Sequence, residues 1–489
     1  MPILHPKLLE NEFWYSDILL VCDNLPNVER DQVDLTSTFS RNIILKTPFV
    51  SSPMDTVTEA PMAILMALIG GIGAIHYNLS PANQAQEIKR VKRYEAAFIT
   101  DPIVLNPKNT VADVLAIGQK YGFYSIPVTE KGTLNSKLLG LVTHRDIRYF
   151  ETDQEQALPL SKVMTPGDKL ITAQKKDTLA KNDIRTANKI IREHNLDTLP
   201  IVNDKFELVA LVTDSDLRKN DVFPLATKDK NKQLKVLGAI ESRLELAKKR
   251  LPLIVEAGAD GVIVDASVVF AEQLKIAKYV KQKCPHLEVI LGNVDSGEMV
   301  TKILEIAAKH VDGLRVGIGP GGACITQEQL GIGRAQGSAI WECHQAANHW
   351  AKKHGYKIPL IADGGVKRPS DMVKALALGA DTVMMGGLLA GLEESPGEPE
   401  FDEDAGHLIK KYRGMGSAEA MAQGGAVRYR VDDAAIKVIE GKVKRVGYKG
   451  SGYVYLPHFT AALKQSIHKL GFANIPVLQQ QAHIVPNHL

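Results

Sequence analysis

The stretch GIGPGGACITQ, residues 317–327, sets Cys324 behind four glycines and two residues before Thr326. A thiol there can fill space, hold a metal or attack a substrate. The glycines let the backbone approach a ligand closely and free several N–H groups for an anion. Thr326 is close enough in sequence to hydrogen-bond the same ligand. A lone cysteine is most often a small buried hydrophobe, and only its surroundings make it reactive. These residues by themselves leave a nucleophile and a structural thiol equally open. Metal binding is disfavoured, because Cys22, Cys284, Cys324 and Cys343 show no paired spacing.

From about residue 255 onward, short apolar runs alternate with amphipathic stretches. GVIVDAS, LEVILGNV, VDGLRVG, IPLIADGG and DTVMMGG read as strands, and AEQLKIAKYVKQK, SGEMVTKILEIAAKH and PSDMVKALALGA read as helices. Continuously apolar strands joined by helices mean a buried parallel sheet. Each strand ends in Gly, Asp, Asn or Ser before a helix, and repetition of the unit favours an α/β (β/α)8 TIM barrel over a doubly wound sheet. In a barrel the chemistry collects where strands end, and Cys324 follows such an end.

Residues 92–223 follow another plan. YGFYSIPVTEKGTLNSKLLGLVTHRDIRY (121–149) resembles HNLDTLPIVNDKFELVALVTDSDLRKN (194–220). Each copy has a β run around a proline, a hairpin, a second β run and a T-x-x-D end, namely Thr143 to Asp146 and Thr213 to Asp216. Such an end at a strand-to-helix turn can hold ribose hydroxyls or cap a helix. In tandem, the two copies resemble a pair of CBS domains, which implies an inserted module that senses purine nucleotides.

Composition narrows the classes. The formal charge is only +3, with no basic stripe among aromatics, so nucleic acid is not a required partner. The longest apolar run, 63–75, is too short to span a bilayer. The start MPILHPKLLENEF lacks a signal-peptide pattern, and unpaired cysteines suit a reducing cytoplasm. The expected location is cytoplasmic. Beyond residue 397 the apolar periodicity lapses, and about 398–455 reads as a long irregular flap.

The loop G-x-G-P-G-x-x-C-x-T resembles the catalytic loop of the IMP dehydrogenase and GMP reductase family. SSPMDTVTE (51–59), GGIGAIHYN (70–78), IADGG (361–365), VMMGG (383–387), KKYRGMGS (410–417) and YKG (448–450) are similar to that family too, in order along nearly the whole chain. The resemblance implies a barrel in two pieces, 1–91 and 224–489, with the CBS pair at 92–223. It implies that Cys324 attacks carbon 2 of inosine monophosphate, that hydride passes to NAD⁺, and that Arg428 and Tyr429 help water release the product. It implies that Asp363 holds the ribose, and that Gly365, Gly386, Gly387 and Gly322 hold the phosphate. Ser52 and Met54 would line the nucleotide site, and Tyr412, Met415, Gly416 and Glu440 would contact phosphate and base. Asp265, Ser267, Asn293 and Arg315 would serve NAD, and the carbonyls of Gly319, Gly321 and Cys324 a potassium ion. The resemblance also implies a homotetramer, which in the family can pair into an octamer.

Arg428 distinguishes the two activities, since reductases of the family have glutamate there. The reading is therefore an NAD-dependent IMP dehydrogenase in guanine nucleotide synthesis. The alternatives are a GMP reductase using NADPH, favoured by Gly322 and Gly387, and a non-catalytic purine-nucleotide-binding regulator. The latter is favoured by DASVVFAE (265–272), where Val268 and Val269 replace the family's polar residue and glycine.

Overall fold

The structure, a computed structural model, describes residues 2–94, 99, 102–181, 184–213 and 223–487. The chain divides into two compact units. One comprises Met1–Lys92, Leu225–Lys228 and Leu234–Leu489; the other comprises Arg93–Pro224 and Asp229–Gln233.

The first unit is built on a closed barrel of eight parallel strands. In chain order they are β1 (Phe49–Ser51), β2 (Ile72–Ile75), β3 (Val236–Glu241), β4 (Gly261–Asp265), β5 (Glu288–Val294), β6 (Gly313–Val316), β7 (Leu360–Asp363) and β8 (Thr382–Met385). Each pairs with its neighbours in sequence, and Val383 of β8 pairs with Phe49 of β1 to close the ring. The helices that follow the strands are α1 (Ala60–Leu68), α2 (Pro81–Tyr94), α3 (Leu244–Glu256), α4 (Ala271–Lys283), α5 (Gly297–Ala307), α6 (Gln336–His354), α7 (Pro369–Ala377) and α8 (Gly452–Lys469).

The strands are mostly apolar because both faces are covered, one by helices and the other by the barrel interior. Val50, Ile72, Leu237, Ile263, Ile290, Ile361 and Met384 converge inside, where Phe39, Ile43 and Leu45 pack against them. Burying each such side chain contributes about 1.5–3 kcal/mol. A smaller sheet joins Ile3–Leu4, His483–Pro486 and Ile18–Val21. Among the described residues, no helix is long and apolar enough to cross a membrane.

The flap region departs from the expected irregular segment. Between β8 and α8 the chain forms a three-stranded antiparallel sheet from Glu400–Asp402, His407–Arg413 and Val443–Gly447, with a short helix, Ala418–Ala422, and a 3₁₀ turn, Gly425–Tyr429. Its strands were illegible as strands because charged and exposed residues interrupt any apolar period.

In the second unit two hairpins repeat. Ile126–Thr129 pairs antiparallel with Leu138–Val142, and Thr198–Val202 with Leu208–Thr213; each has a register shift before the last residue of its first strand. Leu138, Val202, Leu208 and Leu211 pack between the two.

One buried cation ties the barrel rim together. Arg250 of α3 bonds to Glu241 at the end of β3 (2.7 and 2.9 Å), to Gln84 of α2 (3.0 Å) and to the carbonyls of Tyr77 and Leu79 (both 3.1 Å). Replacing it strands a buried carboxylate and two carbonyls. Arg250→Met should lower unfolding stability by about 3–5 kcal/mol. The surface pair Lys248–Glu245 is the control, and Lys248→Ala should leave the midpoint nearly unchanged. Urea unfolding midpoints compare the two, and equal effects would contradict the assignment.

Candidate active site

The loops after β1, β6, β7 and β8 converge with the flap on one cavity of ≈ 360 Å³. Its wall includes Ser52 and Met54 after β1; Gly319, Gly321, Gly322, Cys324 and Thr326 after β6; Asp363 and Gly365 at the end of β7; and Gly386 and Gly387 after β8. Ser267 and Asn293 line it from the β4 and β5 ends, and Tyr412, Met415, Arg428 and Tyr429 from the flap. Four expected site residues, Gly416, Glu440, Asp265 and Arg315, lie behind this wall.

Cys324 is the one cysteine on the cavity. Its sulfur lies 3.2 Å from the Thr326 hydroxyl, which donates to Glu440 Oε2 at 2.8 Å. The backbone holds this line in register: Ile325 N–H donates to the Glu440 carbonyl and Lys442 N–H to the Ala323 carbonyl, both at 2.9 Å. The thiol loop and the flap thus pair through Cys324 and Gly441. Burial pushes the Glu440 pKa up, while Thr326 and the Arg428 charge pull it down. Cys343 is fully buried on α6, and burial pushes its thiol up.

Asp265, at the end of β4, is fully buried. Its Oδ1 accepts from Arg315 Nη2 at 2.7 Å and from Arg428 Nη1, while its Oδ2 has no protein partner. Arg315 Nε donates to Asn293 Oδ1 at 3.0 Å; Asn293 Nδ2 donates to Asp363 Oδ2 at 2.9 Å and to the Gly317 carbonyl at 2.7 Å. Arg315, expected to serve NAD, is 1% exposed and holds Asp265 and Asn293 in place. Burial pushes its pKa down. Buried charges of this kind persist only when paired. Asp265 is likewise closed off while Arg428 is seated. Ser267 N–H donates to the Arg428 carbonyl at 3.1 Å, so the flap covers this side of the cavity.

Glycines shape the opposite end. A Cβ on Gly387 would lie 3.2 Å from Tyr412 Cε1, so the ring crosses this position closely. A Cβ on Gly322 would meet nothing nearer than Lys444 Nζ at 3.9 Å, so no crowding demands glycine there. Gly416 is different again, because a Cβ would fall 2.8 Å from the Tyr429 hydroxyl. Burial pushes the Tyr412 and Tyr429 phenols up. Arg413, next to Tyr412, pairs with Asp55 at 2.7 Å and anchors the flap strand to the β1 loop.

Of the carbonyls expected to face potassium, that of Gly321 accepts from Cys324 N–H at 3.0 Å. In the second unit, Asp146 Oδ2 takes both the N–H and the hydroxyl of Thr143, at 2.7 and 2.8 Å, which is helix capping. Thr213 ends its strand, and Asp216 lies outside the described residues. Sequence reasoning missed the Cys324–Thr326–Glu440 line, since its ends lie far apart in the chain. It also passed over Lys449 on the cavity wall, although YKG was in view.

A family model described as the IMP dehydrogenase / GMP reductase domain matches residues 12–487. The inosine-5'-monophosphate dehydrogenase of Schizosaccharomyces pombe is 42% identical over 477 residues, covering 95% of this chain and 86% of that one. Its counterpart in Toxoplasma gondii is 46% identical over 413 residues (84% and 71%), and that of Aquifex aeolicus is 36% identical over 481 (98% and 94%). Among solved structures, a GMP reductase variant from Trypanosoma brucei in complex with guanosine 5'-monophosphate is similar with a TM-score of 0.87. It is 29% identical, covering 97% of this chain and 95% of that chain.

Glu440→Gln tests the buried carboxylate, because an amide oxygen can still accept from Thr326. A carboxyl whose pKa rises on folding penalises the fold only when ionised. The penalty is full above the raised folded pKa and vanishes below the unfolded value of about 4.3. The variant should therefore melt higher than the parent near pH 8, with the difference fading towards about pH 4. Thermal melts across that range measure it; a difference independent of pH would contradict it.

Proposed function

Because the chain belongs to the IMP dehydrogenase / GMP reductase family, we propose that it oxidises inosine 5'-monophosphate to xanthosine 5'-monophosphate with NAD⁺. The observation that carries this reading over the reductase is Arg428–Tyr429 on the wall of the Cys324 cavity. The dehydrogenase relatives at 36–46% identity support it.

The thiolate of Cys324 bonds to carbon 2 of the hypoxanthine, and the hydrogen on that carbon leaves as hydride. NAD⁺, when bound, supplies the hydride acceptor. Ser267 and Asn293 fit its binding because they face the cavity, and Asp265 fits because Oδ2 is an unused buried acceptor. Arg428 holds the other oxygen of Asp265, so it must withdraw before a ligand can use that carboxylate. With the flap seated, water attacks the thioimidate carbon, the carbon–sulfur bond breaks, and Cys324 recovers its electron pair. Arg428 and Tyr429 orient that water from the flap. Glu440, through Thr326, is placed to take its proton.

Asp363 is held by Asn293 and presents its carboxylate to the ribose. The glycines after β7 and β8 offer N–H groups to the phosphate. The proposal extends to guanine nucleotide synthesis in the cytoplasm by a homotetramer. It also extends to a potassium ion at Gly319, Gly321 and Cys324, and to purine nucleotides at the paired hairpins, which their repetition supports.

Inosine monophosphate with NAD⁺ should produce NADH, while GMP with NADPH should leave the nicotinamide absorbance unchanged. The reverse outcome would establish the reductase. An inosine monophosphate analogue carrying a leaving group on the purine should label Cys324. Cys324→Ala should lose labelling and turnover while binding nucleotide within about tenfold, roughly 1.4 kcal/mol. Labelling at Cys343 or Cys284 would overturn the nucleophile. Arg428→Ala should keep a first-turnover burst of NADH but lose steady turnover by about 10²–10⁴-fold. Absence of the burst would mean that Arg428 serves the earlier step.

A further inference from the structure

Lys449 follows the last flap strand and precedes α8. Its backbone N–H donates to the Gly391 carbonyl at 2.8 Å, which fixes the side chain's origin. The ammonium reaches the cavity wall and donates to the Leu388 carbonyl at 2.7 Å, one residue beyond Gly386–Gly387. It also lies 5.0 Å from the centre of the Tyr455 ring. Burial pushes its pKa down, with no carboxylate acting against that.

Lys410, which is buried where Lys449 is partly exposed, offers a comparison. Lys410 likewise donates to carbonyls, those of Leu392 at 3.0 Å and Ser395 at 2.6 Å. Glu393, Glu394 and Glu398 lie near enough to favour its charge, and it does not reach the cavity. Among the described residues, Lys449 has a neutral carbonyl and a ring as its side-chain partners. An ammonium has three donors, so this one can take a further acceptor from the cavity side.

We infer that Lys449 is the cationic ligand of the nucleotide's 5'-phosphate, beside the Gly386–Gly387 backbone. The inference rests on the proposed nucleotide substrate and names a binding residue for it. Arg428 is occupied by Asp265 and Cys324 lies in the β6 loop, so Lys449 and the thiol serve different parts of one ligand. Glycine at 322 and 387 leaves no hydroxyl at those places, so more of the recognition falls to this charge.

Calorimetry on the full chain should compare inosine monophosphate with inosine for the parent, Lys449→Met and Lys449→Arg. Met keeps an unbranched stem of similar length and removes the charge. A lost charge-assisted hydrogen bond corresponds to roughly tenfold to a hundredfold in affinity. Lys449→Met should weaken inosine monophosphate by that factor, leave inosine within about twofold and raise KM far more than it lowers kcat. Lys449→Arg should restore most of the loss. Equal weakening of both ligands, or of neither, would overturn the inference. So would a parent that binds the nucleotide no more tightly than the nucleoside. A parent that prefers the nucleotide but makes no NADH with it overturns the dehydrogenase reading alone, and the Lys449 comparison still stands on binding. Thermal melts establish that each variant is folded.

Discussion

A buried carboxylate shared by two guanidinium groups organises this molecule's working end. Asp265 has no access to solvent, and an isolated charge in that position would be prohibitively costly. Arg315 comes from a barrel strand and Arg428 from the flap, so one oxygen joins two parts of the chain built by different rules. The barrel half of the arrangement is rigid. Arg315 fixes Asn293, and Asn293 in turn fixes Asp363. The flap half is conditional, because Arg428 has only a place at this carboxylate while the flap is seated.

Other contacts secure the flap with different strengths. Arg413–Asp55 is largely buried and forked, so it resists both water and salt. Arg430 bonds to Glu272 of α4 and to the Ser242 carbonyl, and Arg243 pairs with Asp432 and Asp433 nearer the surface. Exposed pairs contribute little individually and weaken with salt. The flap is therefore fixed by buried pairs both at the Tyr412 strand and at Arg428, and only its Asp432–Asp433 turn is tied by pairs nearer the surface.

The barrel was largely legible, because its strands read as unbroken apolar runs and each ends in a turn residue. Arg315 carried a readable signal as well. A charge inside LRV, within a strand buried on both faces, must have a buried partner, though the sequence does not say which. The flap sheet was not legible, since His407–Arg413 and Val443–Gly447 expose charged side chains and lack an apolar alternation. Thr326 was noticed for its closeness to Cys324, but its bond to Glu440 depends on how the flap folds back. Thr143 and Asp146 show the limit of motif reading: the same two residues serve a helix cap or a sugar, and the structure has the cap.

The second unit interrupts the barrel after only two strands, and this affects how the chain acquires its shape. Synthesis delivers β1 and β2 first, yet the partners of their outer edges are β8 and β3. The edge of β1 waits for nearly the whole remaining chain, a pairing of very high contact order, and such pairings form slowly. The hairpins of the second unit are local by comparison and emerge while those edges are still open. An unpaired apolar strand edge is a template for aggregation. The nascent chain is thus most vulnerable between the appearance of β2 and that of β8, and its demand for chaperones should be concentrated in that interval.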